Sequence, residues 1–477
     1  MPKESKEGIT YKKEENFSEW YSEVVQKAEL IDYSQVSGCY VIRPRAYQIW
    51  EKIQNYVDKK IKSKGVENCY FPLLIPEKLL KKESAHVKGF SPEVAWVTEA
   101  GSSKLSERLA IRPTSETIMY DSYSKWIRSY KDLPLKLNQW CSVIRWEFKH
   151  PMPFLRSREF LWQEGHTAFE NKEEADKEVL EMLNVYAEVY EKILAVPVFK
   201  GKKSEEEKFA GAEYTTSIET FLPTGKAIQA ATSHHLGQNF SKVFEIKFLD
   251  KEGKSEFVYQ NSWGITTRTI GIMAMMHSDN KGLVIPPNAA YNKVVIIPIL
   301  FEKDKEKVIK KTKEIKEELS SFNAILDDRD DVSVGRKFNE WELKGIPIRV
   351  EMGPKDLEKK QAVLVRRDTN EKISVKYQQI KKEIKLLLDK IQENLFNKAK
   401  SNIEKNTIGV KSLEDLKRST NKLAKLSWCN TKECENHIKS EIEGIKSINL
   451  SLKEKPKEKC IICNKKATSV AYFAKSY

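Results

Sequence analysis

Arg145 and Glu147, followed after a loop by Arg156, Arg158 and Glu159, crowd three arginines and two carboxylates around one expected hairpin. Guanidinium forks in a fixed frame bind phosphate oxygens bidentately, so such a frame could grip a polyphosphate. A surface ladder of ion pairs would use the same residues. Over a hundred residues later, Asn261 to Gly271 places Arg268 at an expected strand-to-helix junction. A second chemistry is offered by Cys429-x4-Cys434 and Cys460-x2-Cys463, four thiolates that match tetrahedral structural zinc. Free thiols or a redox pair are the alternatives, and a redox pair at Cys460 and Cys463 leaves the first two unexplained. Cys39, Cys69 and Cys141 are then isolated thiols, expected to be buried.

These groups need elements to hold them. From Arg45 to Lys64, Ala46, Ile49, Trp50, Ile53 and Val57 follow the spacing of one buried helical face, and Gly65 stops the helix. Val66 to Pro72 reads as a strand closed by proline. Leu137–Phe148 and Phe160–His166 read as two strands joined by a long loop. Asn171 with Glu174 resembles a capping box opening a helix that buries Val179, Leu183, Tyr186 and Tyr190. Strands are expected at Thr216–Phe221, Ala227–Thr232 and Phe244–Phe248, a helix over 268–279, and a linker at Pro286-Pro287. Strand and helix then alternate, with strands at Val294–Ile299, Ala324–Leu326, Ile346–Glu351 and Ala362–Arg366. Helices are expected at Lys303–Leu319, at Val334–Leu343 and from Val375 onward, giving a compact α/β domain. Residues 1–16 show no apolar period and read as a loose leader.

At roughly 150 residues per domain, 477 residues suggest about three domains. No apolar run approaches the ~18 residues that span a bilayer. The start lacks a signal-peptide core, and seven cysteines are too few for a secreted disulfide scaffold. A soluble cytoplasmic protein is expected. Charge is uneven: residues 1–300 hold 42 Lys and Arg against 40 Asp and Glu, whereas residues 301–477 hold 41 against 29. The last part therefore carries +12 of the total +14. Clustered cations there would suit a polyanion, by counterion release from a phosphate backbone; a solvated lysine-rich surface is the plainer alternative.

The helix and strand ending at Pro72 resemble motif 1 of the class II aminoacyl-tRNA synthetases. Arg145–Glu147 with Arg156–Phe160 resembles motif 2, and Trp263–Gly271 resembles motif 3. Arg112-Pro-Thr-Ser-Glu116, Pro153 to His166 and Ile228 to Asn239 resemble the signature stretches of the prolyl-tRNA synthetase family, archaeal and eukaryotic-like type. The resemblance runs from about Phe17 to Tyr477. It implies an α+β chain with four parts: a flexible leader (1–16), a class II antiparallel-sheet catalytic domain (17–285), an α/β anticodon-binding domain (286–400) and a small zinc-binding α+β module (401–477).

It also implies roles. Thr114 and Glu116 would receive the prolyl amine, since a secondary ammonium offers two N–H donors that suit one hydroxyl and one carboxylate. Trp162, Glu164, His166 and Phe209 would wall the pyrrolidine pocket, with Ser233 and His234 closing it. Arg145 would bridge the proline carboxylate and the ATP α-phosphate, while Arg156 and Arg268 grip the outer phosphates. Glu147, Ser157, Phe160, Gln229, Thr232 and Thr266 would complete the ATP site, Glu147 and Gln229 being the candidates for Mg²⁺. Ala230-Ala231 stands where many relatives carry two glycines, so any glycine-only backbone angle would be lost. Glu351, Lys355, Arg366 and Arg367 are the candidates near RNA. L-proline, ATP and tRNA(Pro) would be the substrates and a homodimer the assembly. Only fifty-odd residues lie between about Glu170 and Lys226, so no internal editing domain is expected. A synthetase-like RNA-binding protein without catalysis is the alternative, and the presence of Thr114, Glu116, Arg145 and Arg268 argues against it.

Overall fold

The computed structural model describes residues 8–86 and 93–477. Its organising element is one eleven-stranded sheet. In spatial order the strands are Thr407–Gly409, Leu423–Trp428, Ser469–Lys475, Ile445–Ser451, Phe199–Lys202, Tyr214–Phe221, Ala227–Gly237, Tyr259–Thr266, Glu159–Phe169, Leu135–Ile144 and Glu67–Asn68. Pairing is antiparallel except in the outermost pair at each edge. Alternate side chains point to opposite faces of such a sheet. Register therefore assigns Trp162, Glu164 and His166 to one face, with Cys141, Gln139 and Leu137 directly opposite them on the neighbouring strand.

The other face is closed by helices. Lys172–Glu188 is capped by Asn171, whose side chain accepts from the Glu174 N–H, and it buries Val179, Met182, Leu183 and Tyr186. Pro44–Lys62 begins with proline at its first turn and buries Ala46, Ile49, Trp50, Ile53, Val57 and Ile61, the stripe its spacing requires. Beyond Gly65 the expected strand shortens to Glu67–Asn68. The expected strand at Phe244–Phe248 is instead the end of the helix Asn239–Phe244, a left-handed Glu245, and the strand Lys247–Leu249. Residues 1–7 of the expected leader lie outside the described residues. Residues 8–16 are tied down rather than loose: the Lys13 N–H donates to Asn280 (2.7 Å) and its ammonium to the Ser278 carbonyl (2.8 Å). The elements between Glu170 and Lys226 are the helix Lys172–Glu188, its continuation to Ile193, and the strands Phe199–Lys202 and Tyr214–Phe221.

A second sheet of five strands follows, in the order Ile325–Leu326, Val294–Pro298, Ile348–Met352, Gln361–Arg366, Lys372–Lys376, the first three parallel. The expected helix from Val375 is displaced: Lys372–Lys376 is a strand, and the helix runs Ile380–Asn406. That helix leads into the C-terminal module. The module does not stand apart, because Ile445–Ser451 pairs with Phe199–Lys202 and extends the large sheet. No helix among the described residues is long and apolar enough to cross a membrane.

The junction depends on a missing side chain. A Cβ on Gly201 would meet Asn449 Cγ at 2.4 Å and the Leu450 carbonyl oxygen at 2.6 Å. Overpacking of this kind costs about 1–3 kcal/mol. Gly201→Ala should lower stability by about that much in urea unfolding, whereas Gly253→Ala, with open space around it, should lose less through strain alone.

Candidate active site

The face of the sheet opposite the helices Lys172–Glu188 and Pro44–Lys62 holds a cavity of about 350 Å³. Thr114, Glu116, Arg145, Glu147, Ser157, Phe160, Trp162, Glu164, His166, Phe209, Gln229, Thr232, His234, Thr266 and Arg268 all line it. Ser233 does not. Thr232 and His234 face the cavity, so alternation turns Ser233, which is fully buried, to the back of the sheet. Arg156 is also absent from the lining; it sits in the tight turn where Met152 bridges Arg156. Cys141, expected as a bystander, is half-buried and belongs to the site's surroundings: its thiol donates to Glu164 (3.5 Å) and accepts from the Trp162 indole (3.3 Å). Burial followed by the Glu164 charge pushes that thiol up to about 12, so it stays protonated.

One end of the cavity is a buried charge network. Thr114 donates to Glu116, and Ser115 donates to Glu164 through both its hydroxyl and its N–H. Gln139 donates to Glu164 (3.1 Å). The His166 ring is bonded on both nitrogens, Nε2 to Glu164 (3.1 Å) and Nδ1 to the Tyr120 hydroxyl (3.1 Å). Burial opposes charge on His166, but Glu116 and Glu164 outweigh it and hold its pKa above the ordinary 6.5. Burial likewise opposes the Glu164 carboxylate, yet the His166 bond and charge, Ser115 and Gln139 hold it below 4.5. Two carboxylates beside a single imidazole make this end rich in acid, with room for a further positive charge. His234 cannot supply it: burial, then the charges of His166 and Arg145, press it down to about 3. It is neutral, hydrogen-bonded to Thr215 (2.9 Å) and packed on Phe209 at 4.8 Å between ring centroids. Ligand atoms of Glu116, Glu164 and His166 lie within 4.8 Å of one another, a spacing that could suit a metal. Their hydrogen bonds to Thr114, Ser115, Gln139 and Tyr120 account for the cluster as an internal network.

The other end is cationic. Arg145 donates its Nε–H to the Pro113 carbonyl (2.9 Å) and lies over the Phe160 and Trp162 rings at 5.6 and 5.3 Å. Arg268 donates to the Gln229 and Leu155 carbonyls (3.3 and 3.2 Å), bonds that fix its plane. The alanine pair is explained by register: Ile218 faces Ala231 and Glu219 faces Gln229, so Ala230 is the extra residue of a β-bulge that turns 229–231 into the cavity. The buried Tyr190 hydroxyl donates to the Ala230 carbonyl (3.0 Å). Neither alanine has a positive φ, so no glycine is needed. Sequence reasoning missed Glu207, Thr215, Ser262 and Gly264. The last two could have been found by stepping back by twos from Thr266; Glu207 sits in the run Glu205–Glu207, which reads as solvated.

Cys429, Cys434, Cys460 and Cys463 converge, their sulfurs all within 4.8 Å of one another and those of Cys429 and Cys463 at 3.8 Å. A zinc tetrahedron with ~2.3 Å bonds has edges of about 3.8 Å, so the residues fit the ion. Asn430 and Asn464, each just after a cysteine, take the left-handed conformation at the two knuckle turns. The residues chosen near RNA fare differently. Lys355 is exposed. Glu351 is buried against Arg349 (2.8 Å), and Arg366 is engaged by Asp368 (2.8 Å) and Glu371 (3.2 Å). Arg367, with 2% of its side chain exposed, donates bidentately to Asp279 at 2.7 Å, pinning the second sheet's domain to the catalytic one. The two arginines are thus internal ties.

Three family profiles match in this order: "tRNA synthetase class II core domain (G, H, P, S and T)" over 96–277, "Anticodon binding domain" over 293–387 and "Prolyl-tRNA synthetase, C-terminal" over 413–477. Fold and site are therefore those of a class II aminoacyl-tRNA synthetase. "Proline--tRNA ligase 2" of Bacillus cereus is 49% identical over 481 residues, covering 100% of both chains, and "Proline--tRNA ligase" of Alkaliphilus oremlandii is 50% identical over 97% of both. The "Bifunctional glutamate/proline--tRNA ligase" of Mus musculus is 51% identical over 92% of this chain, which spans only 30% of that longer protein. The chain belongs to the prolyl-tRNA synthetase family.

The charge network makes a pH prediction. The raised His166 stabilises fully below its unfolded value near 6.5, and that contribution fades as pH rises through the folded value; the lowered Glu164 stabilises above 4.5, and its contribution fades as pH falls. The pair is most stabilising between about 4.5 and 6.5. In Glu164→Gln, the NMR titration midpoint of the His166 ring should move to lower pH; an unmoved midpoint would remove Glu164 as its counter-charge.

Proposed function

We propose that this chain activates L-proline with ATP and transfers it to the 3′-end of tRNA(Pro), in the cytoplasm. The observation that carries this reading is one cavity with a carboxylate-rich end suited to a positive charge and a two-arginine end facing it. The prolyl ammonium supplies that charge at Thr114 and Glu116, with Trp162, Phe209 and His234 around the ring. Arg145, tied to the Pro113 carbonyl next to Thr114, holds the proline carboxylate against the α-phosphate, and Arg268 neutralises the outer phosphates. The carboxylate attacks phosphorus in line, giving prolyl-adenylate and pyrophosphate; a terminal ribose hydroxyl of tRNA then takes the prolyl group. No protein nucleophile is required, and acceleration comes from positioning and charge neutralisation. Bound Mg²⁺, for which Glu147 and Gln229 are the cavity-lining candidates, would add to that neutralisation.

The four cysteines are proposed to hold structural zinc. The domain from 286 to 400 is assigned to the anticodon, with Lys355 as its exposed candidate contact and stacking and edge contacts to splayed bases as the mode of reading. A homodimer is proposed through the motif 1 side, where Tyr33, Val36 and Val41 of the hairpin 31–42, Tyr47 of the helix after it, and Tyr70, Leu73 and Leu74 beyond the short edge strand Glu67–Asn68 are exposed. Uncovered apolar residues on this scale suit a subunit interface.

ATP–pyrophosphate exchange screened over the twenty amino acids should show proline as the preferred substrate. Arg145→Ala should lose at least about 10²–10³-fold, the scale for removing one preorganised charge stabiliser; near-normal exchange in that variant would displace Arg145 from the centre. Elemental analysis should find one zinc per chain, lost in Cys460→Ser.

A further inference from the structure

Phe209 does not hold its place at the amino-acid pocket by its own contacts alone. It lies on the loop 203–213 between the strands Phe199–Lys202 and Tyr214–Phe221, and that loop is gripped by the C-terminal module at four points. Lys439, on the helix Lys432–Glu441, is paired with Glu207 at 2.8 Å, and Lys446 approaches the same carboxylate at 3.7 Å. Lys432 opens the same helix and is paired with Glu206 at 2.8 Å. At the loop's root the buried Lys203 ammonium is paired with Glu219 and donates to the Ile448 carbonyl, both at 2.7 Å. Glu207 itself lines the active-site cavity. From there the chain of contacts is short. The Phe209 N–H donates to Thr215 (2.9 Å), Thr215 is bonded to the His234 ring (2.9 Å), and Phe209 packs on that ring. The helix that supplies the clamping lysines also carries Cys434.

We infer that Lys432 and Lys439 are positioning residues for the amino-acid pocket: by holding Glu206 and Glu207 they fix the loop that sets Phe209 against His234, so the C-terminal module governs affinity for proline without touching it. This inference rests on the cavity's being the proline site. Lys432 and Lys439 are paired with Glu206 and Glu207, whereas Arg145 and Arg268 are held by the Pro113, Gln229 and Leu155 carbonyls, so loss of the clamp should act on proline and spare ATP.

The test uses the full-length protein. Lys432→Met/Lys439→Met should raise the KM for proline about fivefold, the scale of two exposed-to-half-buried ion pairs acting together, with the KM for ATP and the thermal midpoint nearly unchanged. Amide exchange across 204–212 should quicken in the same variant, a readout that needs no turnover. Lys432→Glu should raise the proline KM as well, and adding Glu206→Lys should restore it. On the unmodified protein, added salt should raise the proline KM more than in the double-Met variant. The inference is overturned if proline KM and loop exchange are unchanged in the double-Met variant, or if the charge swap rescues nothing. Should the unmodified protein fail to activate proline, the functional reading falls, and amide exchange alone still decides whether the lysines hold the loop.

Discussion

Antiparallel pairing through the central strands Glu159–Phe169, Tyr259–Thr266 and Ala227–Gly237 is the constraint on which the rest depends. Because the side-chain period is two, one register decides which groups share the reacting face and which are sent to the back. Trp162, Glu164 and His166 fall on the first; Gln163, Gly165 and Thr167 fall on the second, where a Cβ on Gly165 would stand 2.2 Å from the Trp263 ring. A slip of one residue in Glu159–Phe169 would exchange Glu164 and His166 for this packing layer. The β-bulge at Ala230 is a local break in that rule beside the cavity. It occurs where the cavity needs three consecutive residues, and Tyr190 satisfies the carbonyl it exposes.

Electrostatics divides the cavity along its length. At one end the carboxylates beside His166 outweigh its burial and raise its pKa above the ordinary value. His234 lines the same cavity but has cations for neighbours, and burial, then the charges of His166 and Arg145, press it down to about 3, so it is neutral. Two imidazoles of one cavity are thus pushed in opposite directions by the balance of burial and neighbouring charge. Arg145 and Arg268 are fixed by main-chain carbonyls, which spend only part of each guanidinium's donor fork.

Much of this was legible in the sequence, because long motifs carry both chemistry and local structure. The helix Val334–Leu343 falls where its apolar spacing puts it, and fifteen of the residues named for substrate binding share one cavity. The failures have physical causes. Ser233 was chosen for its neighbours, although strand alternation separates adjacent residues. Arg367 is a candidate near RNA in the sequence because nothing there shows that a carboxylate eighty-eight residues away, Asp279, claims its guanidinium. Continuity of the C-terminal module with the catalytic sheet was invisible for the same reason: Phe199–Lys202 is four residues long, and its partner lies nearly 250 residues further on.

The Arg367–Asp279 pair reaches further than its size suggests. Asp279 follows closely on the helix Arg268–His277, whose first residue lines the cavity. Ten helical residues span about 15 Å of stiff rod. The domain matched to anticodon binding is therefore coupled to the far end of the rod that begins at Arg268. Any rotation of that domain must either drag the rod and shift Arg268 in the cavity, or first rupture a bidentate bond that is shielded from water on its arginine side.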